Sequence, residues 1–454
     1  MKKTFHAIGL ILATASLSHA QLSPAITSWL QNTTSIGTYY TNGNSTATSN
    51  GILEGCQSVQ YSTDYVYIST TGIPFHPIGP YMDGNPNQAG NQNAIYKFPL
   101  SPQENSGTET VTTMGNIGVF IDGSTMFDSR DGISWKSSTS AWGAGPFMGA
   151  PGDGVWNRDA IVYEKAGFDC SKGHPAGTNY HHHQNPSAFK ADLTVISTIC
   201  NLYDADGLYT INTSQHSPLI GYAYDGFPVY GAYGYQNADG TGGIVRIKSG
   251  YQLRSITVRN TSADGTSVTS GPTINTTYPL GSCIEDYEWL SHSGEDDYLD
   301  AHNGRFCVTP EYPNGTYAYF ATVDANHNSA YPYLVGPSFY GVWADRKITS
   351  ITETTTTFTP STTSISEEEF QKLDINVFPN PASDLIVIQI GDLLKHDMDI
   401  QLFDIAGKLT LHSIINKGST IAYFDTQTLY SGTYFVKISN GENQITKKII
   451  IQKK

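Results

Sequence analysis

The chain has 454 residues, with 25 Lys and Arg against 40 Asp and Glu, a formal charge of −15. Phosphate backbones are neutralised by basic side chains, so this balance excludes nucleic acid as the natural partner. Charged residues reach only 14% while hydrophobic ones reach 39%, with 44 Gly and 29 Tyr, which excludes broad disorder and predicts a chain able to fill a core.

At the N-terminus Lys2 and Lys3 precede an apolar run from Ala7 to Leu17, and Ser18-His19-Ala20 supplies small residues after it. A charged start, a short apolar middle and a small-residue end predict a cleaved secretory signal over residues 1–20. The run is shorter than the about 20 residues that a membrane-spanning helix needs, and no later stretch reaches that length without charges, so no transmembrane segment is expected.

Tyr, Gly, Pro, Asn and Ser dominate residues 21–347, and helical periodicity is scarce. Short runs at Tyr65 to Ser69, Ile117 to Ile121, Val195 to Ile199 and Thr316 to Thr322 predict strands in a β-rich body with long irregular loops. Residues 348–373 turn to Thr, Ser and Glu, as in Thr354-Thr355-Thr356-Thr357 and Glu367-Glu368-Glu369. Such a stretch buries too little surface to offset its ordering entropy, so it is expected to be a linker. Beyond it, apolar runs from Asp384 to Ile390, Ile400 to Phe403, Leu409 to Ile415, Thr420 to Phe424, Thr433 to Ile438 and Thr446 to Ile451 are separated by Gly-containing turns. The expected fold class is mainly β, an irregular β-rich body followed by a small β-sandwich over 374–454.

The five cysteines stand at 56, 170, 200, 283 and 307. After export to an oxidising compartment they are expected to pair, and Cys170–Cys200 and Cys283–Cys307 are the expected bridges because each closes a loop of moderate length. Cys56 is then the odd thiol.

The chemical focus is histidine. His181, His182 and His183 are contiguous, His174 lies seven residues earlier on Gly173-His174-Pro175, and His216 follows. In an extended segment side chains alternate, so His181 and His183 share one face while His182 takes the other. With His174 as a third ligand they can hold a transition metal, zinc or copper foremost. Asp159 and Asp169 can complete the ligand set, and Glu164, His216 and Asp225 are acid or base candidates. Asp204-Ala205-Asp206-Gly207 and the patch Glu295-Asp296-Asp297 with Asp300 near His292 and His302 leave calcium open, although a turn and an exposed acidic loop explain them. No Gly-x-Ser-x-Gly elbow, Walker sequence or Rossmann fingerprint is present, which disfavours serine-hydrolase and nucleotide chemistry. Trp135, Trp142, Trp156 and Trp343 could stack sugars, but core or loop packing is the expected role in a Gly-rich β body.

Two resemblances follow from these residues. Val377-Phe378-Pro379-Asn380-Pro381-Ala382-Ser383-Asp384, Leu402-Phe403-Asp404-Ile405-Ala406-Gly407-Lys408, Ser431-Gly432-Thr433-Tyr434-Phe435-Val436-Lys437-Ile438 and a Lys-rich end resemble the type IX secretion sorting domain of Bacteroidota. That resemblance implies an Ig-like address tag, type IX secretion machinery and a sortase-like protease as partners, and release or attachment to surface lipopolysaccharide. Its 8 Lys and 8 acidic residues over 374–454 cancel, so the negative charge belongs to the body. Asp159-Ala160, Glu164, Asp169-Cys170, Gly173-His174-Pro175, Tyr180-His181-His182-His183, the run from His216 to Gly231, Leu299 to Phe306, Pro310 to Phe320 and Tyr331-Pro332-Tyr333 resemble the YHYH domain family over about 120–341. The family is named for Tyr-His-Tyr-His, whereas this chain has His182 in the third place. The resemblance implies a secreted domain and supplies no reaction; metal binding is read from the side chains. A secreted or surface-attached metal-binding protein is expected, with metal-assisted hydrolysis as its chemistry if it is an enzyme. The alternative is a metal-, glycan- or surface-binding module without turnover.

Overall fold

The structure, a computed structural model, describes residues 22–453 apart from 45, 82–86, 146–147, 188–206, 361–374, 391–396, 406, 417–418 and 440–443. The expected signal and the expected strand from Val195 to Ile199 therefore lie outside the described residues. The chain divides into two compact units, Met1–Thr359 and Pro360–Lys454. Among the described residues no helix is long and apolar enough to cross a membrane.

An eight-stranded sheet organises the first unit. Its strands are β1 (Asn116–Phe120), β2 (Thr125–Phe127), β3 (His174–Ala176), β4 (Asn179–His182), β5 (Leu219–Ala223), β6 (Pro228–Tyr230), β7 (Gly304–Cys307) and β8 (Thr316–Phe320), in the spatial order β3-β4-β2-β1-β5-β6-β8-β7. The β4/β2 and β6/β8 pairs are parallel and the other pairs antiparallel. Every residue of β5 is buried, which is why that segment carries a continuous apolar run instead of an alternating one. A second, five-stranded antiparallel sheet orders Lys347–Ile348, Ala94–Pro99, Tyr65–Thr70, Cys56–Tyr61 and Thr356–Phe358. One core draws on both sheets, with Val59, Val66, Ile68 and Phe98 from the second meeting Val119, Phe120, Tyr222 and Tyr319 from the first. Burying each such side chain contributes about 1.5–3 kcal/mol.

The Thr/Ser/Glu-rich stretch is not all linker. Thr356–Phe358 pairs with Cys56–Tyr61 as an edge strand. Glu353 accepts from Ser62 and Tyr67, and Thr355 Oγ1 donates to Gln60 at 2.8 Å. Thr is β-branched and suits a strand, so ladder bonds and side-chain contacts supply what apolar burial does not.

The disulfide expectation is also corrected. Among the described residues Cys56, Cys283 and Cys307 are buried free thiols, so Cys283 and Cys307 do not bridge. Each packs as a small apolar group in a different cluster, Cys283 beside Trp135 and Trp156 and Cys307 in the main core. Cys200 lies outside the described residues, and with it the expected Cys170–Cys200 pair. The same cluster accounts for two of the tryptophans, since Trp135 and Trp156 are 7% and 1% exposed and serve as core.

The second unit contains two antiparallel sheets. Three strands order Ile375–Phe378, Leu385–Ile390 and Ile421–Asp425, and four order Leu409–Ile415, Met398–Asp404, Gly432–Ser439 and Gln444–Ile451. Period-two burial, as at Ile386, Ile388 and Ile390 or Ile400 and Leu402, builds a core of its own that draws on both sheets.

Candidate metal centre

The β3–β4 hairpin carries the histidines. Its turn passes through Gly177 at φ +62°, a left-handed position that Gly adopts without a Cβ clash, and the register sets His174 opposite His181. The loop entering β3 is pinned by Asp169, whose carboxylate accepts from the backbone N–H of Gly79 (2.9 Å), Ser171 (2.9 Å) and Gly173 (3.1 Å) and from Tyr180 Oη (2.8 Å). Gly173 is required there, because a Cβ would stand 2.3 Å from Tyr180 Oη. On its far side β4 pairs with β2, His181 opposite Thr125, and the His181 ring stacks on Phe127 at 3.6 Å between centroids.

Alternation places His181 and His183 together. Their Nε2 atoms are 3.1 Å apart, and ring nitrogens of His174, His181 and His183 lie within 4.8 Å of one another. All three residues are buried. Glu164, from the one-turn helix Ala160–Glu164, brings Oε2 to 3.1 Å from His183 Nε2 and 3.4 Å from His174 Nε2. His182 points to the other face, against Phe120 and Tyr180.

The hydrogen bonds fix where the lone pairs are. His181 Nδ1 donates to the Asn179 carbonyl at 3.0 Å and His183 Nδ1 to the Asp128 carbonyl at 2.6 Å. A ring with its hydrogen on Nδ1 presents a lone pair at Nε2, so two lone pairs face each other at 3.1 Å unless a proton or a metal ion lies between them. Without an ion the proton falls to His183. Burial opposes its charge, but the hydrogen bond to Glu164 and that carboxylate's charge outweigh burial and raise the His183 pKa. Burial, reinforced by charge on His174 and His183, pushes His181 well down. Burial also works against ionised Glu164, yet the bonds to His174 and His183 hold its carboxyl far below the ordinary range. A metal ion matches the His181–His183 spacing of 3.1 Å, since with bonds of about 2.0–2.1 Å neighbouring ligand atoms are about 3.0 Å apart at a right angle and about 3.4 Å apart at a tetrahedral one. His174, within 4.8 Å of both, is placed to close in as a third ligand.

The remaining sequence candidates lie elsewhere or are otherwise engaged. Asp159 caps the Glu164 helix, its Oδ1 accepting from Ile161 N at 2.8 Å and its Oδ2 from Tyr333 Oη at 2.6 Å, and burial pushes its pKa up to about 7 against those bonds. Neither Asp159 nor Asp169 joins the histidine group; both carboxylates orient the backbone that carries it. Asp159→Ala is expected to cost about 1–2 kcal/mol through the lost cap, read from the denaturant midpoint, and to leave the histidine hairpin assembled. Asp225 accepts from Tyr319 Oη (2.5 Å), Gly341 N (2.8 Å) and Phe227 N (3.2 Å). His216 packs on Tyr230, Tyr235 and Phe320, where burial lowers its pKa to about 4. Of the calcium candidates, residues 204–206 lie outside the described residues, Asp297 pairs with Lys248 at 2.6 Å, and Asp296 accepts from Ala238 N. The Asn179 and Asp128 carbonyls that set the tautomers were not foreseeable, because a backbone acceptor leaves no mark in a sequence.

Fold and site together define a strand-rich protein with a buried three-histidine cluster on one hairpin and a separate β unit after it. Residues 95–331 match the family described as YHYH protein, and residues 376–452 match the Secretion system C-terminal sorting domain. The first match covers more than half of the chain, which belongs to the YHYH protein family. No curated protein matches it. The sorting domain marks the protein for secretion or the cell surface and implicates the type IX secretion system.

Proposed function

We propose that this secreted protein holds one transition metal ion through Nε2 of His174, His181 and His183, with the Glu164 carboxylate as fourth donor. The facing ring nitrogens of His181 and His183 at 3.1 Å carry this reading, since with both Nδ1 atoms donating to carbonyls the pair repels unless a metal ion, or in its place a proton on His183, lies between them. Three imidazoles favour zinc or copper, while calcium calls for a shell of oxygen donors.

When bound, such an ion can polarise a substrate oxygen or lower the pKa of its water to about 7, which makes metal-assisted hydrolysis the chemistry best suited to the site. Hydrolysis would need the three histidines alone as ligands, with Glu164 released from the ion; its side chain, 26% exposed and beside His183, is then better placed to move a proton than His216 or Asp225, which pack elsewhere. Four protein donors also favour a second reading, metal holding without turnover, because a tetrahedral ion is then saturated. Glycan stacking is less favoured with Trp135 and Trp156 inside the core.

Elemental analysis and X-ray absorption of untagged protein test both readings. About one ion per chain is expected; a bound water beside the protein donors supports hydrolysis, and four protein donors alone support holding. Protein that takes up no zinc or copper on reconstitution would refute the site. For export, the reading is a cleaved signal over 1–20 and an Ig-like C-terminal tag, removed by a sortase-like protease with release or attachment to lipopolysaccharide. Two antiparallel sheets around one core support the tag's part of this, and mass spectrometry of the secreted form would show a chain ending before residue 374.

A further inference from the structure

On the opposite face of β4, His182 meets a second imidazole, that of His76 from the loop after Tyr65–Thr70. We infer that His76 and His182 form a separate two-coordinate site for a soft monovalent cation, Cu(I), behind the three-histidine cluster. His182 is 1% exposed and His76 8%, and their ring centroids are 5.8 Å apart. His76 Nδ1 donates to the Pro77 carbonyl at 3.2 Å, and the His182 ring donates to the Lys172 carbonyl. The other nitrogen of each ring, Nε2 of His76 and Nδ1 of His182, is buried without a hydrogen-bond partner. Each ring thus has one N–H fixed by a carbonyl and one buried nitrogen whose lone pair meets no protein donor, the arrangement that carbonyls impose on metal-binding histidines.

The spacing and surroundings select the ion. Bonds of about 2 Å along a line, with each ring centre about 1 Å behind its nitrogen, place the centroids about 6 Å apart. Phe120 and Tyr180 wall the space, and the nearby Asp169 carboxylate is engaged by three backbone N–H groups and Tyr180 Oη. Coordination by two nitrogens alone leaves a divalent zinc ion under-coordinated, whereas two-coordinate geometry satisfies a filled-shell monovalent copper ion. The buried Lys172 beside His182 also repels a single charge less than a double one. The Tyr that names the family at this position would remove one of the two donors.

The test is anaerobic Cu(I) titration of the full chain against a chromophoric chelator, after zinc has been loaded. Wild type should take up one Cu(I) more than His182→Tyr or His76→Phe, with two-nitrogen coordination in X-ray absorption, while all three hold equal zinc. His181→Ala should lose zinc and keep that Cu(I), which separates failure here from failure of the three-histidine site. Equal Cu(I) uptake by wild type and both ring-for-ring variants, or none by folded wild type, would overturn the inference and leave ring packing or a bridging water as the role of the pair.

Discussion

His181→Ala and His183→Ala should each bring metal content to background and weaken zinc affinity by more than about 100-fold, beyond the about 10- to 100-fold typical of losing only a supporting partner. Each change removes one of two facing donors and opens the buried cluster to water. His182→Ala is the control, because its ring points to the other face and zinc content should not change. Full zinc occupancy in His181→Ala would defeat the assignment. The pH dependence has a definite sign. His183 has a raised pKa, so its stabilising contribution in metal-free protein is complete below the unfolded value of 6.5 and is lost as pH rises through the folded one. Glu164 is depressed, so its contribution is present above the unfolded value of 4.5 and is lost on acidification through its folded value. Chelated protein should therefore be most stable between these limits. Zinc must displace the His183 proton, so its affinity should fall about tenfold per pH unit below that raised pKa, as competition titrations from pH 5 to 8 would show. A pH-independent affinity would mean that no histidine proton is exchanged.

Arg259→Ala should destabilise the body by about 3–5 kcal/mol, a large part of the about 5–15 kcal/mol that ordinarily holds a domain folded. Arg259 and Asp286 are both fully buried, joined by Nε–Oδ1 and Nη2–Oδ2 bonds of 2.7 Å, and the guanidinium also donates to the Pro272 and Pro279 carbonyls. Asp286 further accepts from Gly281 N and Cys283 N, so removing the cation strands a buried anion at the centre of a loop. That loop braces the metal centre. Asp159 N donates to the Ser282 carbonyl at 3.1 Å, and Asn157 N and Nδ2 donate to Glu285 at 2.7 and 2.6 Å, just before the helix that ends in Glu164. Weaker zinc binding should accompany the loss of stability. A change below about 1 kcal/mol in chemical denaturation would show that the pair contributes little.

Much of the architecture is legible in the chain because it depends on local pattern. Strands at Tyr65–Thr70, Asn116–Phe120 and Thr316–Phe320 follow from short, almost continuously buried β-branched or aromatic runs, and those of the C-terminal unit from period-two burial punctuated by Gly. The pairing of His181 with His183 follows from the same alternation. Thr356–Phe358 escaped that pattern because it is an edge strand held by ladder and side-chain bonds, which apolar content does not report.

The sequence by itself therefore determined the strand-rich class, the terminal sorting domain and the grouping of His181 with His183, since all three are properties of neighbouring residues. Only the tertiary structure decided that Glu164 faces the triad while Asp159 and Asp169 brace the backbone, that His216 and Asp225 pack elsewhere, and that Cys283 and Cys307 stay apart. It also brought His76, more than one hundred residues earlier, beside His182. Such meetings depend on which strands and loops share a core, and on carbonyl groups that fix ring tautomers, and neither is encoded in the spacing of side chains along the chain.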